Sequence, residues 1–323
     1  MQKILVSGIQ PSGRLHIGNY FGALKQFVDL QDEYETRIFV ANLHALTTLQ
    51  NPEELKNLSR EVILDLLAIG LDPKRVTLYY QSDVPHVVEL AWIFSCLTTM
   101  PELMRAHAFK DKEAKSKEVS VGTFNYPLLM AADILAVDAD VVPVGKDQIQ
   151  HVEITREVAR DFNNTFDHPR QGGASTFKEP KELIRENVAT VLGIDGQKMS
   201  KSYGNTIPLF AEDEEIDKAV MSIVTDSSGE YPENVFKIHQ LFRTNDELDK
   251  IYTENKGQYK KLKELLAEDI ENFIRPMRER RKDWESRSEE VDEIVKEGGK
   301  KMREVVHKKM IEVRKKVGLI HNE

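Results

Sequence analysis

The feature that most constrains the fold is a regular alternation of short apolar segments with longer segments of helical periodicity. Residues 38–41 and 76–80 are short, largely apolar runs that are typical of buried strands. Residues 52–69, between them, repeat apolar side chains every three or four positions, which predicts a helix with Asn51 as its N-cap. This order predicts an α/β fold, a doubly wound parallel sheet with helices on both faces.

The alternation continues over the first two-thirds of the chain and then gives way to helices. Further strands are predicted at residues 4–6 and 141–144, and further helices at residues 85–97 and 147–162. After about residue 205 the strand signals fade, and residues 257–288 and 289–317 are predicted to form two long helices. The chain is therefore expected to carry a mostly α-helical second domain.

Composition limits the class of protein. The chain has 323 residues, 40% hydrophobic and 31% charged, which is enough for a large core under a charged surface. We expect no membrane span, because no run of 18 apolar residues occurs, and no signal peptide, because a strand begins at once. Cys96 is the only cysteine, which excludes an intramolecular disulfide and fits a reducing cytoplasm.

The charge is unevenly distributed. The net charge is −9, whereas a purely electrostatic nucleic-acid binder is usually basic. Residues 271–323 contain 15 Lys and Arg against 12 Asp and Glu, so this region is slightly basic. It includes a basic run beside Trp284, made of Arg275, Arg278, Arg280, Arg281 and Lys282. Contact with nucleic acid and an ordinary helix surface with Trp284 in the core are both compatible with this pattern.

An N-terminal motif (residues 7–19) links the first predicted strand to a helix. A strand that turns through glycines into a helix directs backbone N–H groups and a partial positive charge at one place. His16 and Asn19 are three residues apart, share one helix face, and can both donate to phosphate oxygens. The alternative is that His16 caps the helix and Asn19 faces solvent. Neither a Walker loop nor a GxGxxG fingerprint occurs in the chain.

A second candidate element is the lysine loop (residues 198–202), which reads Lys-Met-Ser-Lys-Ser and follows Gly193 and Gly196. Lys198 and Lys201 lie three residues apart beside these glycines, which makes the loop a candidate for handling phosphate. By itself the segment is also compatible with a solvated basic turn. The N-terminal motif and the lysine loop together indicate adenylate chemistry, and we expect these two distant segments to converge on one triphosphate.

These motifs resemble those of the bacterial-type tryptophanyl-tRNA synthetases, a family of class I aminoacyl-tRNA synthetases. His16-Ile17-Gly18-Asn19 is similar to the first class I signature, with Asn19 replacing the second histidine as is common in this family, and residues 198–202 match the second signature in full. The resemblance extends to residues 8–13, 126–135 and 143–148, and it covers nearly the whole chain in family order.

The resemblance implies a Rossmann-type catalytic domain that joins L-tryptophan to tRNA(Trp) in two steps. The carboxylate of tryptophan attacks the α-phosphate of ATP, and the tryptophanyl group then moves from the adenylate to the 3′-terminal ribose of the tRNA. Mg²⁺ would arrive with the phosphates of ATP. Because the attacking carboxylate is already ionised, catalysis would depend on positioning and on stabilising charge. The resemblance implies four residues for positioning the reactants and stabilising charge, namely His16, Asn19, Lys198 and Lys201.

By the same resemblance, the nucleotide is held by the N-terminal motif, by the segment after the fourth strand and by the lysine loop. The implied contacts are Gln10, Pro11, Ser12, Gly18, Asn19, Gly145, Lys146, Asp147, Val191, Lys198, Met199, Ser200, Lys201 and Ser202. Lys112, close to Lys110, is a candidate contact to pyrophosphate, with a solvated charged loop as the alternative.

Met130 and Asp133 are the candidates for selecting the amino acid. They are three residues apart in a helical segment and can face one pocket. An apolar side chain beside a carboxylate suits indole, which has a large flat face and a single N–H donor. The alternative for Asp133 is a charge on a helix surface, which its apolar neighbours disfavour. The resemblance adds four residues to this pocket, namely Tyr126, Gln148, His44 and Val142, with Gln148 a candidate for the ammonium group.

The resemblance also implies the domain organisation. Residues 1–190 and about 300–323 would form the nucleotide-binding domain, with a dimer-forming insertion at residues 85–135, and residues 205–299 a helical tRNA-binding domain. A homodimer is implied by the resemblance alone. We expect no protein-bound metal: His151 follows Asp147 by four residues without a third ligand, so a structural hydrogen bond is preferred.

Three other functions stay compatible with the sequence. A tyrosyl-tRNA synthetase shares the fold and both signatures, but it should present a tyrosine and an aspartate to a phenol hydroxyl. Another nucleotidyltransferase of the same superfold would leave the C-terminal helices without an evident role. A non-catalytic paralogue that binds tryptophan often loses signature residues, whereas His16, Asn19, Lys198 and Lys201 are all present.

Overall fold

The structure is a computed structural model that describes residues 2–104, 120–145, 148–167, 175–184, 191–225 and 231–320. Its sheet contains strands β1 (Ile4–Ile9), β2 (Glu35–Val40), β3 (Val76–Tyr80), β4 (Val141–Pro143) and β5 (Lys181–Leu183). The strands lie in the order β3-β2-β1-β4-β5, and every neighbouring pair is parallel. The predicted α/β fold is confirmed.

Helices cover both faces of the sheet and form nearly all of the C-terminal third. They are α1 (Ile17–Asn19), α2 (Lys25–Leu30), α3 (Asn42–Ala45), α4 (Pro52–Ala68), α5 (His86–Ser95), α6 (Met100–Met104), α7 (Val121–Leu135), α8 (Ile149–Phe166), α9 (Asp213–Met221), α10 (Glu233–His239), α11 (Asn245–Glu254), α12 (Tyr259–Ser286) and α13 (Ser288–Lys316). A π-helical turn, Tyr20–Leu24, joins α1 to α2. Among the described helices, none combines the length and apolarity needed to cross a bilayer.

The two faces of the sheet bury different sets of helices, because successive strand side chains point to opposite faces. Leu5 and Ile38 belong to a core shared with α4 and with the C-terminal helices α9, α10 and α12. Val6 and Phe39, one residue further along each strand, pack with α5, α7, α8 and the second half of α13. The C-terminal helices therefore share a core with the sheet.

The last helix, α13, lies against β3, which is an edge strand of the sheet. A Cβ atom at Gly298 would stand 1.9 Å from the carbonyl oxygen of Leu78 on that strand. Only glycine allows the two backbones to approach this closely. Beyond Gly298, Met302 and Val306 are fully buried on the second face of the sheet.

Elements with strong local signals agree with the sequence-based prediction. The strand predicted at residues 76–80 is confirmed, and α4 begins at Pro52, with Asn51 Oδ1 accepting the backbone N–H groups of Glu53 and Glu54. The helix predicted from residue 147 is described from Ile149 onward, and Asp147 lies outside the described residues. Strand β5 and the π-helical turn were not predicted.

Two arginines of the basic run of α12 are paired within the protein. Arg278 is 8% exposed and donates to a backbone carbonyl and to Asp213, both at 2.6 Å. Arg281 donates to Asp65 at 2.7 Å, and Trp284 packs partly buried against the core. Both guanidinium groups therefore have partners within the chain, and a contact of Arg278 or Arg281 with nucleic acid stays a prediction. The alternative, a helix surface with Trp284 against the core, agrees with these contacts.

Candidate active site

A cavity of about 490 Å³ lies at the C-terminal ends of β1, β2 and β4. Parallel α/β sheets bind ligands at this edge, and the volume is in the range of small-molecule sites. Gln10 and Gly145 lie on its wall, each just beyond a strand, and His44 and Tyr126 contribute from helices. Two of the residues implied for the nucleotide, Gln10 and Gly145, thus share one opening with the residues implied for the amino acid.

Asp133, on α7, provides the buried charge of this cavity. It is 4% exposed, and its Oδ2 accepts from Gln81 Nε2 at 2.7 Å and lies 3.1 Å from His44 Nε2. Burial raises the pKa of Asp133, and the hydrogen bonds from His44 and Gln81 oppose that rise. The alternative of a helix-surface charge is wrong, because the carboxylate lines the cavity and is hydrogen-bonded inside the protein.

The other candidates for an amino-acid pocket surround the same cavity. Met130, Val142 and Gln148 lie on its wall with His44 and Tyr126. Their roles toward a ligand stay predictions.

His151 also faces the cavity, where its Nε2 is hydrogen-bonded to the hydroxyl of Tyr126. This agrees with the structural hydrogen bond preferred from the sequence. Burial raises the pKa of Tyr126 to about 12, so the hydroxyl keeps its proton at neutral pH. Among the described residues, no group of three or more His, Cys, Asp and Glu side chains could hold a metal ion.

His16 and Asn19 form a reciprocal cap at the start of α1. The backbone N–H of Asn19 donates to His16 Nδ1 at 3.3 Å, and that of His16 donates to Asn19 Oδ1 at 3.1 Å. Burial, and then the nearby ammonium of Lys201, lower the pKa of His16 to about 4. A neutral imidazole whose Nδ1 accepts carries its proton on Nε2, so His16 caps the helix and still has one N–H to donate.

The lysine loop packs directly on the N-terminal motif. Lys201 Nζ donates to the carbonyl oxygen of Gly13 at 2.7 Å, and Met199 is buried. A Cβ atom at Gly18 would stand 3.2 Å from Met199 Cβ, so glycine permits this contact. The predicted approach of these two distant segments is confirmed. Lys198 is exposed, and burial lowers the pKa of Lys201.

Several implied nucleotide contacts are not placed at this site. Lys112, Lys146 and Asp147 lie outside the described residues, as does Lys110. Val191 is 6% exposed and belongs to the hydrophobic core beside Met199, and its carbonyl oxygen accepts the N–H of Met199 at 2.8 Å. Its contact with adenine stays a prediction.

Sequence reasoning missed two residues that organise the site. Asn205 accepts the N–H of Ser200 at 2.7 Å and donates to Asp195 at 2.7 Å, which shapes the lysine loop. Gln81 donates to Asp133 and is 1% exposed. A polar residue that directly follows a buried strand is a signal that could have found Gln81, because such positions face the ligand-binding edge of a parallel sheet.

Comparison with known proteins assigns the family. The family model for class I tRNA synthetases (W and Y) matches residues 2–282. Tryptophan–tRNA ligases of Fusobacterium nucleatum and Rhodopirellula baltica are 46% and 44% identical, each aligned over 98% of this chain and 98% or more of the relative. The chain belongs to the class I tRNA synthetases, in the family of the W and Y enzymes.

One solved structure makes the likeness specific. The crystal structure of tryptophanyl-tRNA synthetase from Campylobacter jejuni, complexed with ADP and tryptophan, is 41% identical with a TM-score of 0.88. The match covers 98% of this chain and 99% of that one. That protein therefore shares the whole architecture described above.

Proposed function

We infer that this protein is a tryptophan–tRNA ligase, which activates L-tryptophan with ATP and transfers it to tRNA(Trp). The observation that carries the inference is the cavity in which a buried carboxylate, Asp133, faces the space beside the N-terminal motif. A hydrogen bond from an indole N–H to this carboxylate would select tryptophan, because a site built around such a bond rejects analogues that lack it.

The activation step is proposed to use donors and cations. The carboxylate oxygen of tryptophan forms a bond to the α-phosphorus of ATP as the bond to the β-phosphate oxygen breaks, so pyrophosphate leaves with both bonding electrons. His16 Nε2–H and Asn19 would donate to the phosphates, while Lys198 and Lys201 would stabilise the charge on the leaving pyrophosphate. Lys201 must first leave the carbonyl of Gly13. ATP is proposed to enter as its Mg²⁺ complex.

The amino-acid pocket is proposed to hold indole between Met130 and the strand ends. Val142 and His44 would line the ring, while Gln148 and Tyr126 would face the ammonium group at the open side of the cavity. This arrangement would turn the carboxylate of tryptophan toward the N-terminal motif, where the α-phosphate would lie.

A pyrophosphate-exchange assay tests the function. The protein is incubated with ATP, labelled pyrophosphate and, separately, each of the twenty amino acids. Exchange that requires tryptophan, followed by charging of a tRNA(Trp) transcript, is the expected result. Exchange with tyrosine instead would contradict the assignment, and tryptophan binding without exchange would indicate a non-catalytic protein.

The homodimer is proposed to form through residues 85–135. Large apolar side chains on α5 to α7 are exposed there, with Trp92 at 70%, and the others are Val88, Met100, Met104 and Val121. An apolar patch of this kind is typical of an interface between subunits. Trp92→Glu should convert a dimer to a monomer in light scattering, and a parent that is monomeric at micromolar concentration would contradict the proposal.

The remaining proposals concern domains and location. Residues 1–190 and about 300–323 are proposed to form the catalytic domain, and residues 205–299 the domain that binds tRNA. The boundary near residue 300 falls within α13, a single helix, so the two parts should move as linked bodies. A cytoplasmic location is proposed, because charged tRNA is used where translation takes place.

A further inference from the structure

Gln81 lies between three elements of the amino-acid pocket and belongs to none of the implied contacts. It directly follows β3, in a 3₁₀ turn over Gln81–Asp83, and it is 1% exposed. Next to it, Ser82 and Asn42 exchange two hydrogen bonds, at 2.8 Å and 3.1 Å, which join this turn to α3. Gln81 is therefore held on a rigid support.

Contacts on both sides fix the orientation of the Gln81 amide. Its Oε1 accepts the backbone N–H groups of Leu43 at 3.1 Å and His44 at 3.3 Å. Two donors on one side require the oxygen there, so Nε2 must face the other way. On that side it donates to Asp133 Oδ2 at 2.7 Å.

The bond from Gln81 determines which carboxylate oxygen of Asp133 is available. Oδ2 is engaged by Gln81 Nε2 and lies 3.1 Å from His44 Nε2, so Oδ1 is the oxygen that neither of these side chains contacts. Burial raises the pKa of Asp133, and the two hydrogen bonds to Oδ2 oppose that rise, so they favour the ionised form relative to a carboxylate buried without donors. Asp133 lines the cavity, where Oδ1 can accept from a ligand.

We propose that Gln81 is a positioning residue for the selection of tryptophan, holding the Asp133 carboxylate so that Oδ1 meets the indole N–H. This inference rests on the proposed function. Without the amide, the carboxylate keeps one donor, His44, and can rotate about its side-chain torsion. The value of kcat/KM should then fall for ligands that offer an N–H, and not for ligands of the same shape that lack it.

The test compares tryptophan with an analogue that has sulfur in place of the indole N–H, 3-(3-benzothienyl)-L-alanine. In Gln81→Met, a volume-conserving apolar change, the ratio of kcat/KM for tryptophan to that for the analogue should fall about 10-fold or more in pyrophosphate exchange. The KM for ATP should stay unchanged. A structural effect alone would lower both substrates together and leave the ratio at the parent value.

A second variant separates the two sides of the amide. Gln81→Glu, assayed at pH 8, keeps an oxygen for the N–H groups of residues 43 and 44 but replaces the donor toward Asp133 with a carboxylate. We expect the same loss of discrimination as in the Met variant. If Gln81→Met does not fold, this variant still tests whether Gln81 positions the Asp133 carboxylate.

Gln31→Met is the matched control. The Gln31 amide likewise bridges backbone groups, donating to Val28 and Gly70 at 3.0 Å and 3.2 Å and accepting from Asp72 at 2.9 Å, but it is not on the cavity wall. The Gln31→Met variant should have lower thermal stability but the parent ratio of kcat/KM for tryptophan to that for the analogue. A Gln81 variant that folds and keeps the parent ratio overturns the role of Gln81, whereas a parent that shows no tryptophan-dependent exchange overturns the proposed function itself.

Discussion

Replacing Asp133 with Asn tests the amino-acid pocket most directly, because the shape is kept and one oxygen becomes an NH₂ group. If the amide oxygen takes the place of Oδ2, facing Gln81 at 2.7 Å and His44 at 3.1 Å, the NH₂ group points at the arriving indole N–H, donor against donor. If the amide turns over, the NH₂ group opposes Gln81 and His44 instead. Neither orientation satisfies all the donors.

The size of the effect follows from the bond that is lost. A hydrogen bond to a charged group contributes about 1.5–3 kcal/mol, so the KM for tryptophan should rise about 10- to 150-fold in pyrophosphate exchange, with the KM for ATP as internal reference. Because burial raises the pKa of Asp133, the parent should also lose affinity for tryptophan as the pH falls, and Asp133→Asn should lose that dependence.

The control for this experiment is Asp140→Asn. Asp140 accepts the N–H of Ile4 at 2.7 Å and is not on the cavity wall, so its variant should lose stability and keep the parent KM for tryptophan. If Asp133→Asn binds tryptophan within about threefold of the parent, less than 1 kcal/mol is at stake, and the assignment of the indole partner is refuted.

Four further predictions concern catalysis and stability. Lys201→Met should lower kcat for exchange by about 10²–10³ with little change in the KM for tryptophan, and an unchanged kcat would remove Lys201 from the reaction. Because the pKa of His16 is about 4 in the folded protein against 6.5 in the unfolded chain, the unfolded state binds the proton first. The free energy of unfolding, measured with urea, should therefore fall as the pH drops from 6.5 toward 4, and it should fall less steeply in His16→Gln than in the parent. Equal slopes against pH in the two proteins would contradict this. Arg278→Glu should lower the free energy of unfolding by about 1–3 kcal/mol, because it removes the donor to the carbonyl oxygen of Ala211 and to Asp213, and the folded variant should still charge tRNA. A stable variant that fails to bind tRNA would instead support a contact of Arg278 with nucleic acid. Gly298→Ala should lower the melting temperature, because a clash with Leu78 that costs about 1–3 kcal/mol outweighs the better helix propensity of alanine. A higher melting temperature would show that α13 can move away from β3.

The sequence predicted elements whose signals are local. Helix α4 was predicted nearly to its ends, because its apolar repeat and the Asn51 cap act within a few residues. Strand β5 was missed, because Lys181–Leu183 has no apolar pattern and is held by pairing with β4, some forty residues earlier in the chain. Short strands of this kind depend on tertiary context.

In the candidate site, too, some features could be predicted from the sequence and others arise only from contacts between distant segments. Motif resemblance indicated that the N-terminal motif and the lysine loop would meet, but not that Lys201 rests on the carbonyl of Gly13, 188 residues away. Asp133 was predicted from its apolar neighbours, whereas Gln81 was not, because its importance arises only where three separated segments come together. The pairing of Arg281 with Asp65, 216 residues apart, likewise could not be read from a basic run.

The contact of α13 with β3 has a consequence for synthesis on the ribosome. The edge strand ends at Tyr80, and the helix that lies against it begins only at Ser288. At about 5–20 residues per second, roughly 10–40 s of translation separate the two. During that interval an apolar strand has an open row of N–H and C=O groups, to which a strand of a neighbouring nascent chain could attach. Slowing elongation should therefore increase co-translational aggregation, and a chaperone that shields this edge should relieve it.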